Sequence, residues 1–346
     1  MIIINARFLT QPLTGVQRFA IEISKQVKKQ LGDEVSFVTC PGVLDNALFD
    51  ELDARVIGTK KSHLWEQIDL YRFLLKNNKP LLVSFGYTGP LFYKNQIVSI
   101  HDVAFIYYKE TFSKSFAFTY NFLVPRIAKR CLHVFTVSES AKKEVCKELE
   151  IATDKVTVTY NGISETFTKN VPVELPKKND RPYVLTVSSH HPRKNYARLI
   201  EAFNGLENQD VDLYIIGNVV GHFTTDEKVQ PNDNVKFLKH ITDKQLVAYY
   251  KNASLFVFPS LYEGFGIPVI EAMSQNIPCV LSDIPVFREI GDDSVIYVNP
   301  NEIGSIRNGI IKGLELTSKS IVYPKLNKFT WVNSAQEVVR IIEKYN

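Results

Sequence analysis

Short apolar runs alternate along the whole chain with segments whose apolar residues recur at the helical period. In the first half the runs MIIIN, VSFVT, PLLVSF, QIVSIHD and HVFTVS predict buried strands; in the second half PYVLTVS, VDLYIIG, NVKFLK, ASLFVFPS and PCVLSD do so. Segments such as VQRFAIEISKQVKK and NYARLIEAFNGL predict amphipathic helices between them. This alternation is typical of α/β proteins whose parallel sheets are covered on both faces by helices.

A Pro-rich, charged stretch without periodicity, residues 163–182, separates the two sets of strands. Because 346 residues exceed the usual size of one domain, we predict two doubly wound, Rossmann-like parallel-sheet domains facing each other across a cleft. The first domain spans 1–165 and the second 166–330. No GxGxxG follows a strand, which disfavours a dinucleotide-dependent dehydrogenase.

Composition is that of an ordinary globular protein, with 45% hydrophobic and 23% charged residues and a net charge of +4. The charge is unevenly distributed. Residues 1–170 hold 22 Lys and Arg against 17 Asp and Glu, whereas the remainder holds 19 against 20. Solvated helix faces are the favoured interpretation of this basic excess, and a weak attraction to anionic lipid or to an anionic acceptor is the alternative.

The four cysteines show no CxxC and no metal-ligand spacing with histidine, which indicates reduced thiols in a cytoplasmic protein. The N-terminus lacks the basic region of a signal peptide, and no apolar run approaches 18 residues. We therefore expect a cytoplasmic protein, whose only membrane contact would be peripheral, at the inner face of the plasma membrane. Nothing in the composition favours nucleic acid as a partner.

The stretch FVFPSLYEGFGIPVIEAMSQNIPCV, residues 256–280, carries two carboxylates in a glycine-rich loop between a strand and a helix. Pro268 suits the first turn of that helix, where its missing N–H costs nothing. Helix amides and glycines at such a turn can approach an anion closely. Glu263 and Glu271 fit hydroxyl groups better than phosphate, because carboxylates accept hydroxyl hydrogen bonds.

Three further motifs follow predicted strands, where open α/β sheets bind ligands. SSHHPRKN, residues 188–195, places Arg193 and Lys194 where they would suit a diphosphate. His101 with Asp102 ends QIVSIHD, and TGVQR, residues 14–18, opens a helix after the first strand. No cluster of His, Cys and Asp predicts a metal site, and DVD at 210–212 is interpreted as a chance occurrence.

Together these motifs resemble the family 4 retaining glycosyltransferases of the GT-B fold, which carry an E-x7-E signature. TGVQRFAIEI, VSIHDVAF, VFTVSESAKKE, VTVTYNGI, VLTVSSHHPRKNYARLIEAF, LYIIG and VKFLKHITDKQLVAYYKNAS occur in the family's order. The set most resembles the mannosyltransferase-like and rhamnosyltransferase-like branch that builds bacterial O-antigens, capsules and exopolysaccharides. The resemblance also implies that a terminal helix, 331–346, crosses back to the first domain.

The resemblance implies a role for each matching residue. Glu263 would contact the donor sugar, His101 would lie near the reacting centre, and Lys194 and Arg193 would hold the leaving diphosphate. The nucleotide sugar would also meet Gly15, the backbone from Lys239 to Ile241, Phe265, Gly266 and Ile267, and Glu271 on the ribose. This chain has Ser189 where family members often carry an arginine, and Arg193 is the candidate to replace it.

For the acceptor, Arg18 is a candidate for an anionic group, with helix capping as its alternative. Phe105 and Tyr107 are candidates for an aromatic platform, although aromatic residues are more often core. The resemblance implies a metal-independent transfer that needs no cofactor besides the nucleoside diphosphate sugar itself. GDP-mannose is the first donor expected, and dTDP-rhamnose the second.

Two other functions remain open at this stage. An epimerase or phosphorylase of the same fold would lack the E-x7-E and PRKN combination, which disfavours it. A non-catalytic nucleotide-sugar-binding subunit would be expected to have lost Glu263 or Lys194, and both are present. A transferase that uses a UDP-sugar also remains open, because backbone contacts to the base leave little trace in the side chains.

Overall fold

The structure is a computed structural model that describes residues 1–168, 181–189, 191–207, 210–217, 232–239, 241–316 and 321–346. Most of the predicted linker, 169–180, and His190 lie outside the described residues. Contacts divide the chain into two compact units: Met1–Gly162 with Thr330–Asn346, and Ile163–Phe329. The sequence placed the two boundaries after residues 165 and 330.

The first unit contains a seven-stranded parallel sheet in the order β3-β2-β1-β4-β5-β6-β7. Its strands are β1 (Ile2–Asn5), β2 (Val35–Thr39), β3 (Arg55–Val56), β4 (Leu81–Ser84), β5 (Gln96–Ser99), β6 (His133–Thr136) and β7 (Val156–Val158). Its helices are α1 (Gly15–Leu31), α2 (Asn46–Glu51), α3 (Ser62–Trp65), α4 (Tyr71–Lys76), α5 (Ala104–Tyr107), α6 (Lys114–Arg130) and α7 (Glu139–Leu149). A π-helical turn, Glu66–Leu70, joins α3 to α4.

The second unit contains a six-stranded parallel sheet in the order β10-β9-β8-β11-β12-β13. Its strands are β8 (Tyr183–Val187), β9 (Asp212–Ile216), β10 (Val235–Leu238), β11 (Leu255–Phe258), β12 (Cys279–Ser282) and β13 (Ile296–Val298). Its helices are α8 (Glu165–Thr168), α9 (Tyr196–Asn204), α10 (Asp243–Asn252), α11 (Ile267–Ser274), α12 (Pro285–Gly291) and α13 (Ile303–Glu315). The predicted fold class, two Rossmann-like parallel-sheet domains, is confirmed.

All ten predicted strands are present, and three observed strands were not predicted. The missed strands are β3, β7 and β13, which have two or three residues each and lie at the outer edges of the two sheets. The predicted apolar face of α9 is buried at Leu199, Ile200 and Phe203. Period and apolar content thus identify the central strands, while the short edge strands carry too few residues to show either.

The last helix, α14 (Trp331–Tyr345), packs against α1 within the first unit. The ring of Trp331 meets that of Phe19 edge-on, with centroids 6.1 Å apart, and the Ser334 hydroxyl donates to the Tyr160 carbonyl. Gly162 allows this close approach, because a Cβ there would lie 2.3 Å from the Trp331 nitrogen. Within the described part of the chain, no helix is both long and apolar enough to cross a bilayer.

His133 should make the fold sensitive to acid. Burial, together with the positive charges of Lys344, Lys142, Arg340 and Lys155, lowers its pKa to about 4 from the usual 6.5. Between these two pH values His133 is protonated in the unfolded chain but not in the folded chain. The free energy of unfolding therefore falls as the pH falls from about 6.5 to about 4. One histidine contributes at most about 1.4 kcal/mol per pH unit.

We expect His133→Asn to flatten this part of the stability profile, measured by urea unfolding at a series of pH values. His63→Asn is the matched control in the same unit, because the His63 ring lies against the Glu66 carboxylate, with Nδ1 3.1 Å from Oε2. An unchanged slope in His133→Asn would contradict the assignment.

Candidate active site

Two of the sequence motifs meet at the switch point of the second sheet. β8 and β11 are neighbours there, although α9, β9, β10 and α10 separate them along the chain. The turn 192–194 follows β8, the loop 259–266 follows β11, and the backbone N–H of Leu261 donates to the Arg193 carbonyl at 2.7 Å. The carboxyl ends of strands at such a switch point form the usual ligand crevice of a doubly wound sheet.

Two buried charges, Lys194 and Glu263, and the partly buried Arg193 form the centre of this region. The Lys194 ammonium donates to Glu263 Oε1, and Arg193 Nη1 lies 3.4 Å from Glu263 Oε2. Arg193 Nη1 also donates to the Tyr262 carbonyl at 3.3 Å. Burial by itself would raise the pKa of Glu263, but the charges of Lys194 and Arg193 and the hydrogen bond from Lys194 outweigh burial and lower it. Glu263 is therefore ionised at neutral pH, and two cations share one carboxylate.

The turn that carries the two cations is fixed at both ends. His191 accepts the backbone N–H of Arg193 through Nδ1 at 3.3 Å, and burial followed by the two neighbouring cations lowers the His191 pKa to about 4. Asn195 adopts a left-handed conformation with φ +63°. Its amide donates to the carbonyls of Pro259 and Pro300 at 3.0 and 2.6 Å. Asn195 thus ties the end of the turn to the loop that carries Glu263.

Glu271 is buried in the second turn of α11, just beyond the first turn that contains Pro268. Its Oε2 accepts the Tyr250 hydroxyl at 3.1 Å, and that hydroxyl also lies 3.3 Å from the Pro268 carbonyl. Burial first, and then the Glu271 charge, raises the pKa of Tyr250 well above its usual value. Tyr250 therefore stays protonated and holds the carboxylate in place.

The loop before α11 has a left-handed backbone conformation at Gly266, which favours glycine at that position. Gly266 has φ +112°, a conformation open to glycine, and a Cβ there would lie 2.9 Å from the ring of Phe287. The Phe265 side chain is buried against Phe329, so only its backbone could meet a ligand. Ile267 is the first residue of α11. Lys239 is exposed at the end of β10, and Ile241 follows His240, which lies outside the described residues.

In the first unit His101 follows β5 and is 6% exposed. Its Nε2 lies 3.1 Å from the Phe85 carbonyl, which requires Nε2 to carry the proton. Burial lowers the His101 pKa despite the opposing effects of Phe85 and Asp102, so the ring is neutral. Among the described residues nothing hydrogen-bonds to Nδ1, which is left to accept a hydroxyl.

The other candidates in the first unit have different surroundings. Gly15 begins α1 as predicted and is exposed, and Arg18 lies half-buried one turn later. Phe105 is 2% exposed within the core, which favours the structural alternative over an acceptor platform. Tyr107 is exposed, but its hydroxyl donates to Glu148 at 3.0 Å. Burial, and then that bond, raises its pKa to about 12.

Sequence reasoning missed Tyr250, Asn195 and Tyr87. Tyr250 lies on the helical stretch KQLVAYYKN, where period predicts only that it is buried. Tyr87 has φ +58° and its hydroxyl donates to Asp102 at 2.9 Å, beside the ring of His101. For Asn195 the sequence shows only an asparagine directly before a predicted helix, which does not predict its hydrogen bonds to the Pro259 and Pro300 carbonyls. These partners depend on contacts between distant segments, for which a single sequence carries no signal.

Comparison with known proteins shows the class of this chain. Residues 13–167 match the model of the Glycosyltransferase Family 4 domain, and residues 167–326 match that of Glycosyl transferases group 1. The chain belongs to family 4 of the glycosyltransferases. The family resemblance predicted from the motifs is confirmed.

Among curated relatives, the O-antigen chain mannosyltransferase RfbU of Salmonella typhimurium is 34% identical over 249 residues, which cover 69% of this chain and 66% of the relative. The O-antigen chain mannosyltransferase B of Escherichia coli is 24% identical over 95% of each chain. Among solved structures, Anabaena HepE in complex with UDP-glucose superposes with a TM-score of 0.75 at 16% identity, over 99% of each chain. That likeness shows the shared GT-B fold.

Tyr250→Phe should destabilise the second unit by about 1.5–3 kcal/mol, because it removes a buried hydrogen bond to a carboxylate. Tyr183→Phe is a matched control: its hydroxyl donates to the neutral carbonyl of Tyr249 at 2.6 Å, and its loss should cost only about 0.5–1.5 kcal/mol. Urea unfolding of both variants measures the difference. Equal losses would show that Glu271 does not depend on Tyr250.

Proposed function

We propose that this protein transfers a hexose or deoxyhexose from a nucleoside diphosphate sugar to a hydroxyl of a growing surface polysaccharide, with retention of anomeric configuration and without a metal ion. The acceptor in this proposal is a lipid-linked glycan. Family membership supports glycosyl transfer, and the O-antigen mannosyltransferases among the relatives support the polysaccharide.

The buried cluster of Arg193, Lys194 and Glu263 is the observation that carries the proposal. Two cations share one carboxylate, so the cluster keeps a net positive charge at a strand-end crevice. A diphosphate would complete the charge balance, and a leaving diphosphate gains negative charge as the glycosidic bond breaks. Fixed cations in a buried site stabilise such developing charge strongly. Glu263 would meet the donor sugar, where its negative charge supports the positive charge forming at the anomeric carbon.

Glu271 would hold the ribose hydroxyls. Its carboxylate lies in the second turn of α11, where the Tyr250 hydroxyl orients it through Oε2. The backbone of Phe265, Gly266 and Ile267 at the start of the same helix would bind the sugar and the diphosphate. Lys239 and Ile241 would contact the nucleobase, and Gly15 the phosphate. Because Ser189 stands where the family resemblance implies an arginine, Arg193 would supply that charge.

His101 would accept a hydrogen bond from a hydroxyl of the donor sugar through Nδ1, since Nε2 is committed to the Phe85 carbonyl. As the family resemblance implies, the leaving phosphate itself would take the proton of the attacking hydroxyl. That route requires no side-chain acid, in contrast to two-carboxylate glycosidases.

GDP-mannose is the first donor we propose, because the two O-antigen relatives described above are mannosyltransferases. dTDP-rhamnose is the second. A UDP-sugar is the third, since the likeness to the UDP-glucose complex of HepE concerns the fold and leaves the base open. A thermal-stability panel with GDP, dTDP and UDP distinguishes them: a ligand at 100 times its Kd adds about 2.7 kcal/mol.

A non-catalytic nucleotide-sugar-binding subunit is the alternative function. It would bind a nucleoside diphosphate without turnover. The presence of both Glu263 and Lys194 argues against it.

Glu263→Gln and Lys194→Ala should separate catalysis from binding. Glu263→Gln keeps the side-chain shape and removes the charge, so transfer should fall by about 100-fold or more while the nucleoside diphosphate still binds. Lys194→Ala removes a charge-assisted contact and should raise the Kd for the nucleoside diphosphate by about tenfold or more. Sugar-release assays and calorimetry measure the two effects.

Glu337→Gln is the control, because Glu337 forms an exposed pair with Arg340 on α14 and lies outside the proposed site. Wild-type turnover in Glu263→Gln would refute the catalytic proposal. Tight diphosphate binding without turnover in the wild type, tested with several acceptors, would favour the alternative.

A surface on the first unit supports peripheral contact with an anionic membrane. Phe118 and Phe122 of α6 and the neighbouring Phe92 are exposed at 74%, 42% and 66%. Arg126 lies over the ring of Phe122 at 4.0 Å, and Arg130 over that of Phe92 at 5.5 Å. Aromatic rings beside cations suit the boundary between acyl chains and anionic headgroups.

We expect the double substitution Phe118→Ser and Phe122→Ser to reduce binding to vesicles of phosphatidylglycerol and phosphatidylcholine by about tenfold or more, measured by co-sedimentation. Leu44→Ser is the matched control, because Leu44 is as exposed but lies before α2. Equal binding by both variants would exclude this surface.

A further inference from the structure

A cavity of about 240 Å³ lies in the first unit, beside the TGVQR motif, since Gln17 of that motif donates to the wall residue Gln11 at 3.1 Å. It opens at the carboxyl ends of β1 and β2, the edge at which parallel sheets bind ligands. Its walls are Arg7, Thr10, Gln11, Cys40, Pro41, Gly42, Lys61 and Ser62. The volume lies below the roughly 300–1,000 Å³ of pockets for drug-sized ligands. The cavity therefore suits one small group and is too small for a nucleotide.

One of the two cations on its wall is already neutralised. Arg7 Nε donates to Glu66 Oε1 at 2.9 Å, and both side chains are buried. Burial alone would raise the pKa of Glu66. The charge of Arg7 and the hydrogen bonds from His63 and Asn5 outweigh burial and lower this pKa to about 2. Glu66 is therefore ionised and balances Arg7. The guanidinium serves as a rigid hydrogen-bonding wall and adds no net charge.

Lys61 supplies the net charge. Within the described part of the chain it forms no ion pair, and none of the cavity's lining residues is acidic. A Cβ placed on Gly42 would lie 4.0 Å from Lys61 Nζ, so the ammonium stands close above the Gly42 backbone at the cavity wall.

The segment before Lys61 is held in place by a carboxylate. Asp69 Oδ2 accepts the backbone N–H groups of Thr59 and Lys60 at 2.9 and 2.8 Å. Gly58, at φ +71°, permits this, because a Cβ there would lie 2.3 Å from Asp69 Oδ2. Lys61 is thus presented from an anchored loop. The other polar side chains of the lining are Ser62, Thr10 and Gln11. The Thr10 hydroxyl donates to the Arg7 carbonyl at 2.9 Å, and Gln11 Oε1 accepts from Gln17 at 3.1 Å.

We propose that this cavity binds an anionic oxygen group, a phosphate or the carboxylate of an acidic sugar, carried by a small molecule or by one residue of a glycan. The ammonium of Lys61 provides the charge, and the neutral polar side chains provide hydrogen bonds. That the group belongs to the acceptor rests on the proposed function; the binding itself does not.

The test is a titration with methyl phosphate, glucuronate and glucose, followed by saturation-transfer-difference NMR. It is made in a Lys194→Ala background, so that the cations of the second unit do not contribute, and repeated in the wild-type chain. Adding Lys61→Ala should raise the Kd for the anion by about tenfold or more, whereas Lys61→Arg should leave the affinity for the anion nearly unchanged. Lys60→Ala is the matched control, since the neighbouring Lys60 pairs with Asp69 at 4.0 Å and does not line the cavity.

Tighter binding of methyl phosphate than of glucuronate assigns the group as a phosphate, and the reverse order assigns it as an acidic sugar. Equal binding in the Lys61→Ala and Lys60→Ala proteins, or glucose binding as tightly as both anions, overturns the proposal. No nucleotide enters this experiment, so its failure would leave the proposed transfer reaction untouched. Conversely, a protein without transferase activity could still bind the anion here.

Discussion

The second unit depends on three charges buried together at the carboxyl ends of β8 and β11. A buried charge is tolerated when it is paired, and removing one partner typically costs about 3–5 kcal/mol. Arg193 and Lys194 can therefore be buried only where Glu263 reaches them, which requires the two strands to be neighbours. The ion cluster thus links two motifs separated by about 70 residues, and Asn195 adds uncharged bonds across the same junction.

The first unit solves the same problem with a different balance of charge. One cation, Arg7, is paired with one carboxylate, Glu66. The Glu66 oxygens also form hydrogen bonds with Asn5, Thr88 and His63. That cluster is complete without a ligand and can serve as structure alone. The cluster of the second unit has two cations for one carboxylate, so these three side chains carry one excess positive charge at the strand ends. The proposal of an anion site rests on this difference between the two clusters.

The sequence predicted the central strands, the strand–helix order and the main site residues, because each has a local signal. Apolar runs marked β8 and β11, and Gly266 with Pro268 marked the start of α11. The edge strands β3, β7 and β13 were missed because two or three residues show no period. Phe105 could not be assigned from the sequence, because the local pattern does not distinguish an aromatic acceptor platform from a core residue. In the structure Phe105 is buried among core residues from other segments. Tyr250 and Asn195 act through partners that only the folded chain brings near.

The charge state of Glu263 connects the ligand-free cluster to the proposed reaction. Burial is the largest influence on its pKa and acts to raise it, while Lys194 and Arg193 reverse the direction. If a diphosphate takes over those two cations, their effect on the carboxylate weakens, and the influence of burial grows in proportion. In the proposed reaction Glu263 would then be held less tightly by Lys194 and Arg193 while the donor sugar lies beside it. A carboxylate that loses its cations to the leaving group is a better partner for the positive charge developing at the anomeric carbon, so binding of the donor itself would prepare the group that stabilises its cleavage.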